Sequence, residues 1–172
     1  MNEYAIFAAG CFWGVQYYFS KQEGVIRTLA GYIGGNLENP SYSQVKSGKS
    51  GHLEAVMVEY DPERVSYEGL CRLFFEIHDP GQTDGQGPDT GSQYLSGIFY
   101  LSEEQKNTAV KLIAWLRRHG YPVYTVLEKA SIGCGSEVPV RERFWPAEDF
   151  HQLYYDRTGG TPYCHFRTKK FD

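Results

Sequence analysis

Cys11 stands where a predicted strand gives way to a predicted helix, between Gly10 and Phe12. A thiol at a helix N-terminus meets unpaired N–H groups and the positive end of the helix dipole. Both favour the thiolate, the reactive form of cysteine. Free cysteine is also among the most buried residue types, a small hydrophobe with no chemistry to do. Position alone leaves both readings open. Gly10 and Gly14 flank the segment and permit close backbone approach, and the paired aromatics Phe12 and Trp13 can build an apolar pocket wall. Three further cysteines, Cys71, Cys134 and Cys164, are scattered, with no C-x-x-C spacing. In a reducing compartment such cysteines are either core residues or chemistry. The chain carries 14 tyrosines, which fits an aromatic-lined pocket and a tyrosine-rich core equally well.

The elements that must position these residues follow from pattern and punctuation. Glu3 to Ala9 reads as a strand ending at Gly10, and Phe12 to Ser20 as a buried, aromatic-dense helix. Val25 to Tyr32 is a second strand, stopped by Gly34-Gly35, and Asn36 to Gly51 reads as loop. His52 to Tyr60 is a strand with Val56, Val58 and Tyr60 on one face. Ser66 caps a helix from Tyr67 to His78 with the stripe Leu70, Leu73, Phe74 and Ile77; Cys71 falls beside that stripe, a core position. Asp79 to Ser92 is a polar loop and Tyr94 to Leu101 a strand. Ser102 with Gln105 forms a capping box for a helix running to His119, which Gly120 ends. Tyr121 to Glu128 is a strand, Ala130 to Phe144 irregular, and Pro146 opens a helix with Glu148 and Asp149 in its first turn. Strands with a few scattered helices imply an α+β fold in two layers, helices packed on a mixed or antiparallel sheet, with a long irregular C-terminal tail. One catalytic domain spans residues 1–172, with a core at about 3–157 and a tail at 158–172 opened by Gly159-Gly160.

With 17 basic and 21 acidic residues and no basic segment, the chain has no electrostatic footprint for nucleic acid. No apolar run reaches membrane-spanning length, and the N-terminus has no signal-peptide pattern, so a cytoplasmic protein is expected.

The run Gly10-Cys11-Phe12-Trp13-Gly14 resembles the active-site signature of the A-type peptide methionine sulfoxide reductases. Matching runs follow in order: Ala30-Gly31-Tyr32 with Gly34-Gly35, Asn39-Pro40-Ser41-Tyr42, Gly51 to Val56, Tyr60-Asp61-Pro62, His78-Asp79-Pro80, Asp89 to Tyr94, and Pro146 to Gln152. The resemblance covers residues 4–157. It implies reduction of methionine-S-sulfoxide, free and in oxidised proteins, without cofactor or metal. Cys11 matches the nucleophile, and Phe12 and Trp13 the wall that holds the substrate methyl group. Glu54 matches the acid that protonates the sulfoxide oxygen, Tyr42 and Tyr94 phenols that hydrogen-bond it, and Asp89 a carboxylate that orders the site. The chemistry asks for these types. Attack on sulfur builds negative charge on oxygen, which an acid and neutral donors must meet, and a carboxyl in an aromatic pocket keeps its proton near neutrality.

Attack leaves Cys11 as a sulfenic acid that condenses with a second thiol. The resemblance assigns that role to Cys164, with a thioredoxin-type protein as reductant; Cys134, between Gly133 and Gly135 in an irregular segment, is a candidate second relay, and the enzyme is expected to be a monomer. Two departures from the family pattern bear on recycling: a long Ile132 to Arg143 stretch containing Cys134, and a tail reading His165-Phe166-Arg167-Thr168-Lys169-Lys170 after Cys164. A non-catalytic aromatic binding module, indifferent to loss of the Cys11 thiol, is one competing reading, and two more use the same residues. One is a metal-binding module of Cys134, Cys164, His165 and His151, though without closely spaced ligand pairs. The other is a Cys–His hydrolase pairing Cys11 with His52, His78 or His151.

Overall fold

The computed structural model describes residues 1–133 and 135–172. Its strands are β1 (Glu3–Ala9), β2 (Val25–Ile33), β3 (Leu53–Tyr60), β4 (Gly85–Gln86), β5 (Asp89–Thr90), β6 (Ser96–Tyr100), β7 (Val126–Lys129) and β8 (Trp145–Pro146). Its helices are α1 (Phe12–Ser20), α2 (Tyr42–Lys46), α3 (Tyr67–Glu76), α4 (Glu103–Arg118) and α5 (Tyr154–Thr158). Six strands form one sheet in the order β7-β6-β1-β3-β2-β8, antiparallel except for the parallel β6–β7 pair. This is the expected α+β arrangement on a mixed sheet.

The period of two in β1 and β3 sorts side chains between two cores. Ala5, Phe7 and Ala9 of β1 and Val56, Val58 and Tyr60 of β3 join the larger cluster under α1, α3 and α4. Ile6 and Ala8, with Leu53 and Ala55, join a smaller one with Ile33, Phe99 and Ala130 on the opposite face. Phe7 stacks between Phe19 of α1 and Phe74 of α3, with ring centroids 5.0 and 5.2 Å away. Glu54 shares the parity of Val56, so it faces the helices and not solvent. Two central strands buried on both faces leave the helix layer little freedom, and the start of α1 is fixed by it.

Several boundaries differ from expectation for identifiable reasons. Within the 36–51 loop a short helix forms at α2, because Ser41 and Gln44 make a complete capping box. The polar 79–92 segment contains the β4–β5 hairpin and buries Gln86, whose amide bonds both the N–H and the carbonyl of Asp79 at 2.9 Å. Tyr94 ends a 3₁₀ turn, not a strand. Ser102 caps α4, but Gln105 reaches back to the N–H of Leu101 rather than of Ser102, so the capping box is displaced by one residue. Of the expected 121–128 strand only β7 pairs. Pro146 sits in the edge strand β8 instead of opening a helix; an edge tolerates its missing donor. The helix after it is short, a 3₁₀ turn at Asp149–His151 and then α5, broken at Leu153 in a left-handed conformation (φ 50°).

The tail beyond Gly159 (φ 75°) has no regular structure, yet it is docked. Glu76, at the end of α3, accepts from the Arg167 guanidinium at 2.9 Å and the Lys170 N–H at 2.9 Å, while its own carbonyl accepts from the Thr168 N–H at 2.8 Å. Phe171 is buried 5.1 Å from the Trp115 ring. Burial pushes the Glu76 carboxyl up, but the Lys170 N–H, Arg167 and the Phe171 N–H together hold it below the usual carboxylate value. A depressed folded-state pKa adds stability that is present above the ordinary glutamate range and is lost as pH falls through the lower, folded value. The tail is therefore expected to loosen in acid, and Glu76→Ala to loosen it at neutral pH. Faster amide exchange at 163–171 in the variant, with the sheet unaffected, checks this; unchanged exchange would refute the clamp.

Candidate active site

Cys11 is the N-cap of α1, reached from β1 through Gly10, whose positive φ (92°) lets the chain turn from sheet to helix. The helix then starts against the end of β3. The Phe12 N–H, one of the unpaired donors of α1, points at the buried Glu54 carboxyl 3.2 Å away. Burial first, and the neighbouring Cys11 second, hold the Glu54 pKa well above the ordinary carboxylate value, while the Phe12 N–H opposes them. The environment of Glu54 therefore favours its protonated form.

Tyr42 and Tyr94 complete the polar side. The two phenols lie within electrostatic reach of each other, and both feel Glu54 and Cys11. Burial is the chief cause that pushes both phenol pKa values further above their ordinary value. Asp89, in β5, accepts from the Tyr163 hydroxyl at 3.1 Å and lies within electrostatic reach of Cys11, Glu54 and both phenols. On the apolar side Phe12 is 1% exposed and packs on Tyr32 and His151, centroids 5.6 and 5.1 Å away. Trp13 is half-buried and stacks on Tyr154 at 3.8 Å, so it is the aromatic open to solvent while Phe12 lies beneath.

Cys164 lies close enough to the Cys11 thiol to raise its pKa, bringing together residues 153 positions apart in the sequence. Of the two opposing influences on Cys11, the Cys164 thiol and burial push its pKa up, against the pull of the Trp13 N–H at the helix start. Cys71 is fully buried in α3, as its place beside the stripe implies. Cys134 lies outside the described residues.

Three residues of the Pro146 to Gln152 run do more than fill a helix turn. Glu148 accepts from the Tyr32 hydroxyl and the Tyr42 N–H, each at 2.9 Å, tying α2 to the sheet. Gln152 bonds the N–H and the carbonyl of Ala30, both at 2.9 Å, standing in for a neighbouring strand. His151 accepts from the Trp13 indole at 3.0 Å and lies against Tyr42, centroids 4.5 Å apart. The matching run carries these residues, but only the fold shows that they set the aromatic wall and Tyr42.

None of the histidines of the hydrolase reading is hydrogen-bonded to Cys11 among the described residues. His52 bonds the Gly35 N–H and the Leu37 carbonyl, His78 bonds the Phe74 carbonyl and Ser96, and His151 serves Trp13. Among the described residues no group of three or more His, Cys, Asp or Glu is placed to hold a metal ion.

A buried carboxyl, two phenols and two apposed thiols around one helix start define a thiol-based oxidoreductase site. A family model described as "Peptide methionine sulfoxide reductase" matches residues 3–172. The peptide methionine sulfoxide reductase MsrA of Pasteurella multocida is 44% identical over 99% of this chain and 93% of its own. Among solved structures, reduced Mxr1 from Saccharomyces cerevisiae superimposes with a TM-score of 0.82 at 29% identity, covering 96% of this chain and 92% of its own. Methionine sulfoxide reductase A of Corynebacterium diphtheriae gives 0.78 at 31% identity, over 95% and 77%. The chain belongs to the peptide methionine sulfoxide reductase family, and it is an oxidoreductase that reduces methionine sulfoxide.

Glu148 provides a test of how the site is held. Glu148→Ala removes the acceptor of a buried phenol and of the Tyr42 N–H, at a cost of about 1–3 kcal/mol in stability. Denaturant unfolding and steady-state turnover of methionine sulfoxide should both fall. Stability within about 0.5 kcal/mol of the parent, a change typical of an inconsequential surface substitution, would show that Glu148 does not anchor α2.

Proposed function

We propose that Cys11 is the nucleophile of the reaction, that Glu54 supplies the proton, and that Cys164 resolves the oxidised enzyme. The observation that carries this reading is the convergence on one sulfur of a buried carboxyl with a raised pKa, two phenols and a second thiol. Cys11 attacks the sulfoxide sulfur. As the S–O bond weakens, Glu54 gives its proton to the oxygen, and the Tyr42 and Tyr94 hydroxyls hydrogen-bond it. Methionine leaves reduced by two electrons, and Cys11 carries the oxygen as a sulfenic acid. Trp13, supported by Phe12, is the wall for the S-methyl group, and Asp89 orders the polar rim through Tyr163. By family likeness the S epimer at sulfur is the substrate, free or in oxidised proteins.

The Cys164 thiol then displaces the oxygen as water and forms the Cys11–Cys164 disulfide. A disulfide of this kind is regenerated by exchange with an external dithiol, and a thioredoxin-type protein supplies one. Mxr1 is known in complex with Trx2. The reading extends to a monomeric protein of one catalytic domain, core 3–157 and tail 158–172, working in the cytoplasm. No described helix is long and apolar enough to cross a membrane.

Three variants test the assignment. Cys11→Ser should release no methionine. Glu54→Gln should lower the reductive step by roughly 10²–10⁴, the usual worth of general acid catalysis, and wild-type turnover should fall as pH rises through the elevated Glu54 pKa, where the proton is lost. Less than about a threefold fall, far short of that range, would remove Glu54 from the mechanism. Cys164→Ser should release one methionine per enzyme and then stop with thioredoxin; sustained cycling would exclude Cys164 as the resolving thiol and direct attention to Cys134.

A further inference from the structure

We propose that His165 is the base that takes the proton from Cys164 as that thiol attacks oxidised Cys11. The inference rests on the reading of Cys164 given above and adds a residue to it. Neighbours in sequence need not touch through their side chains, but here Cys164 Sγ lies 3.0 Å from His165 Nδ1. The other ring nitrogen, Nε2, is 2.6 Å from the Ala9 carbonyl oxygen. A carbonyl can only accept, so Nε2 carries the ring hydrogen. In the neutral ring that leaves the Nδ1 lone pair facing the Cys164 S–H. The tautomer needed for a base at Cys164 is thus set by the last residue of β1, two positions before Cys11.

The slot for the ring is built into the start of α1. A Cβ on Gly14 would fall 2.3 Å from His165 Nδ1, and one on Gly10 would fall 3.5 Å from Nε2. Gly14 therefore leaves room for this imidazole, while at Gly10 the close neighbour is Gln86, 2.6 Å from such a Cβ. His165 is 2% exposed, and the Tyr18 hydroxyl holds its backbone carbonyl at 3.2 Å, so the ring and the chain carrying it are both fixed. Burial keeps the resting ring neutral, and the Asp89 carboxylate favours the imidazolium that forms transiently.

The step balances without a further reactant. The Cys164 S–H bond breaks and its proton passes to Nδ1. The Cys164–Cys11 S–S bond forms as the Cys11 S–O bond breaks. The leaving oxygen, already bearing one hydrogen, takes the imidazolium proton and departs as water. Cys11 sulfur is reduced from the sulfenic to the disulfide level and Cys164 is oxidised to it.

The test is a single turnover with methionine sulfoxide and no reductant, with methionine, dimedone-trapped sulfenic acid and disulfide each measured against time. His165→Gln should still release one methionine per enzyme, which also shows that the fold is intact. It should accumulate sulfenic acid and form the disulfide at least about a hundredfold more slowly, the lower end of general base catalysis. His165→Ala, which opens a cavity, should regain disulfide formation with added imidazoles, and faster with the more basic ones; a residue that only positions Cys164 would not show that dependence. Disulfide formation at the wild-type rate in both variants overturns the proposal, as does a slow rate that no added base restores. Absence of methionine release from the wild type would instead strike the assignment of the reductive step.

Discussion

The bond from the Phe12 N–H to the Glu54 carboxyl is the constraint on which the rest of the site depends. A carboxyl buried on the helix-facing side of a sheet is expensive to ionise, so its neutral form is favoured, and a neutral buried carboxyl still requires hydrogen-bonding partners. The unpaired N–H groups at the start of a helix are the partners on offer. Satisfying Glu54 therefore fixes where α1 begins relative to β3. Since Cys11 is the residue immediately before that helix, the same bond sets the distance from thiol to acid. The register of β3 is equally implicated: Tyr32 pairs with Glu54 and Phe7 with Val56, and a slip of one residue would carry Glu54 to the opposite face.

Around this point the loops are held by side chains that bond main-chain groups as a neighbouring strand or turn would. Gln152 takes both polar groups of Ala30, Gln86 those of Asp79, Glu148 an N–H of α2 together with a sheet phenol, and Glu76 two N–H groups of the tail. Each joins segments without regular pairing between them. Irregular backbone can then approach the sheet without leaving buried donors and acceptors empty. Loss of one such side chain would release a whole segment, so their effect on chemistry is exerted through placement of Tyr42, Trp13 or Cys164 rather than by contact with substrate.

Much of this was legible in the residues. The period of two in β1 and β3, the cap at Ser66 and the glycine at the start of α1 each act locally, and the elements follow them. The candidate site was legible for another reason: its residues lie in matching runs, so likeness proposed Cys11, Glu54, Tyr42, Tyr94 and Asp89 for it. What escaped were features decided at long range. Pro146 has the credentials of a helix start, but the edge of β2 captured it as β8. The α2 helix carried its signal, Ser41 with Gln44, inside a composition that reads as loop. Gln105 was drawn to Leu101 and Tyr4 instead of its own cap residue. The docking of the tail on Glu76 spans 91 residues or more, and no local pattern announces a contact of that range.

On the proposed roles of Cys11 and Cys164, the two halves of the reaction make opposed demands on Cys11. Attack on a sulfoxide needs a thiol that gives up its proton readily and lies open to substrate. Condensation needs a second thiol pressed against it. With Cys164 beside it, Cys11 is 8% exposed and its pKa is raised, an arrangement that on this reading suits the second half. The chain around Cys164 is tethered on both sides, by Gly159 at the end of α5 and by the Glu76 clamp at Arg167 and Thr168. Any withdrawal of Cys164 that leaves those tethers in place is confined to the few residues between them. Its cost is the loss of the His165 bond to Ala9 and the packing of the imidazole over Gly14. The same contacts that ready Cys164 for condensation therefore oppose opening the site for reduction, and their strength sets the balance between the two.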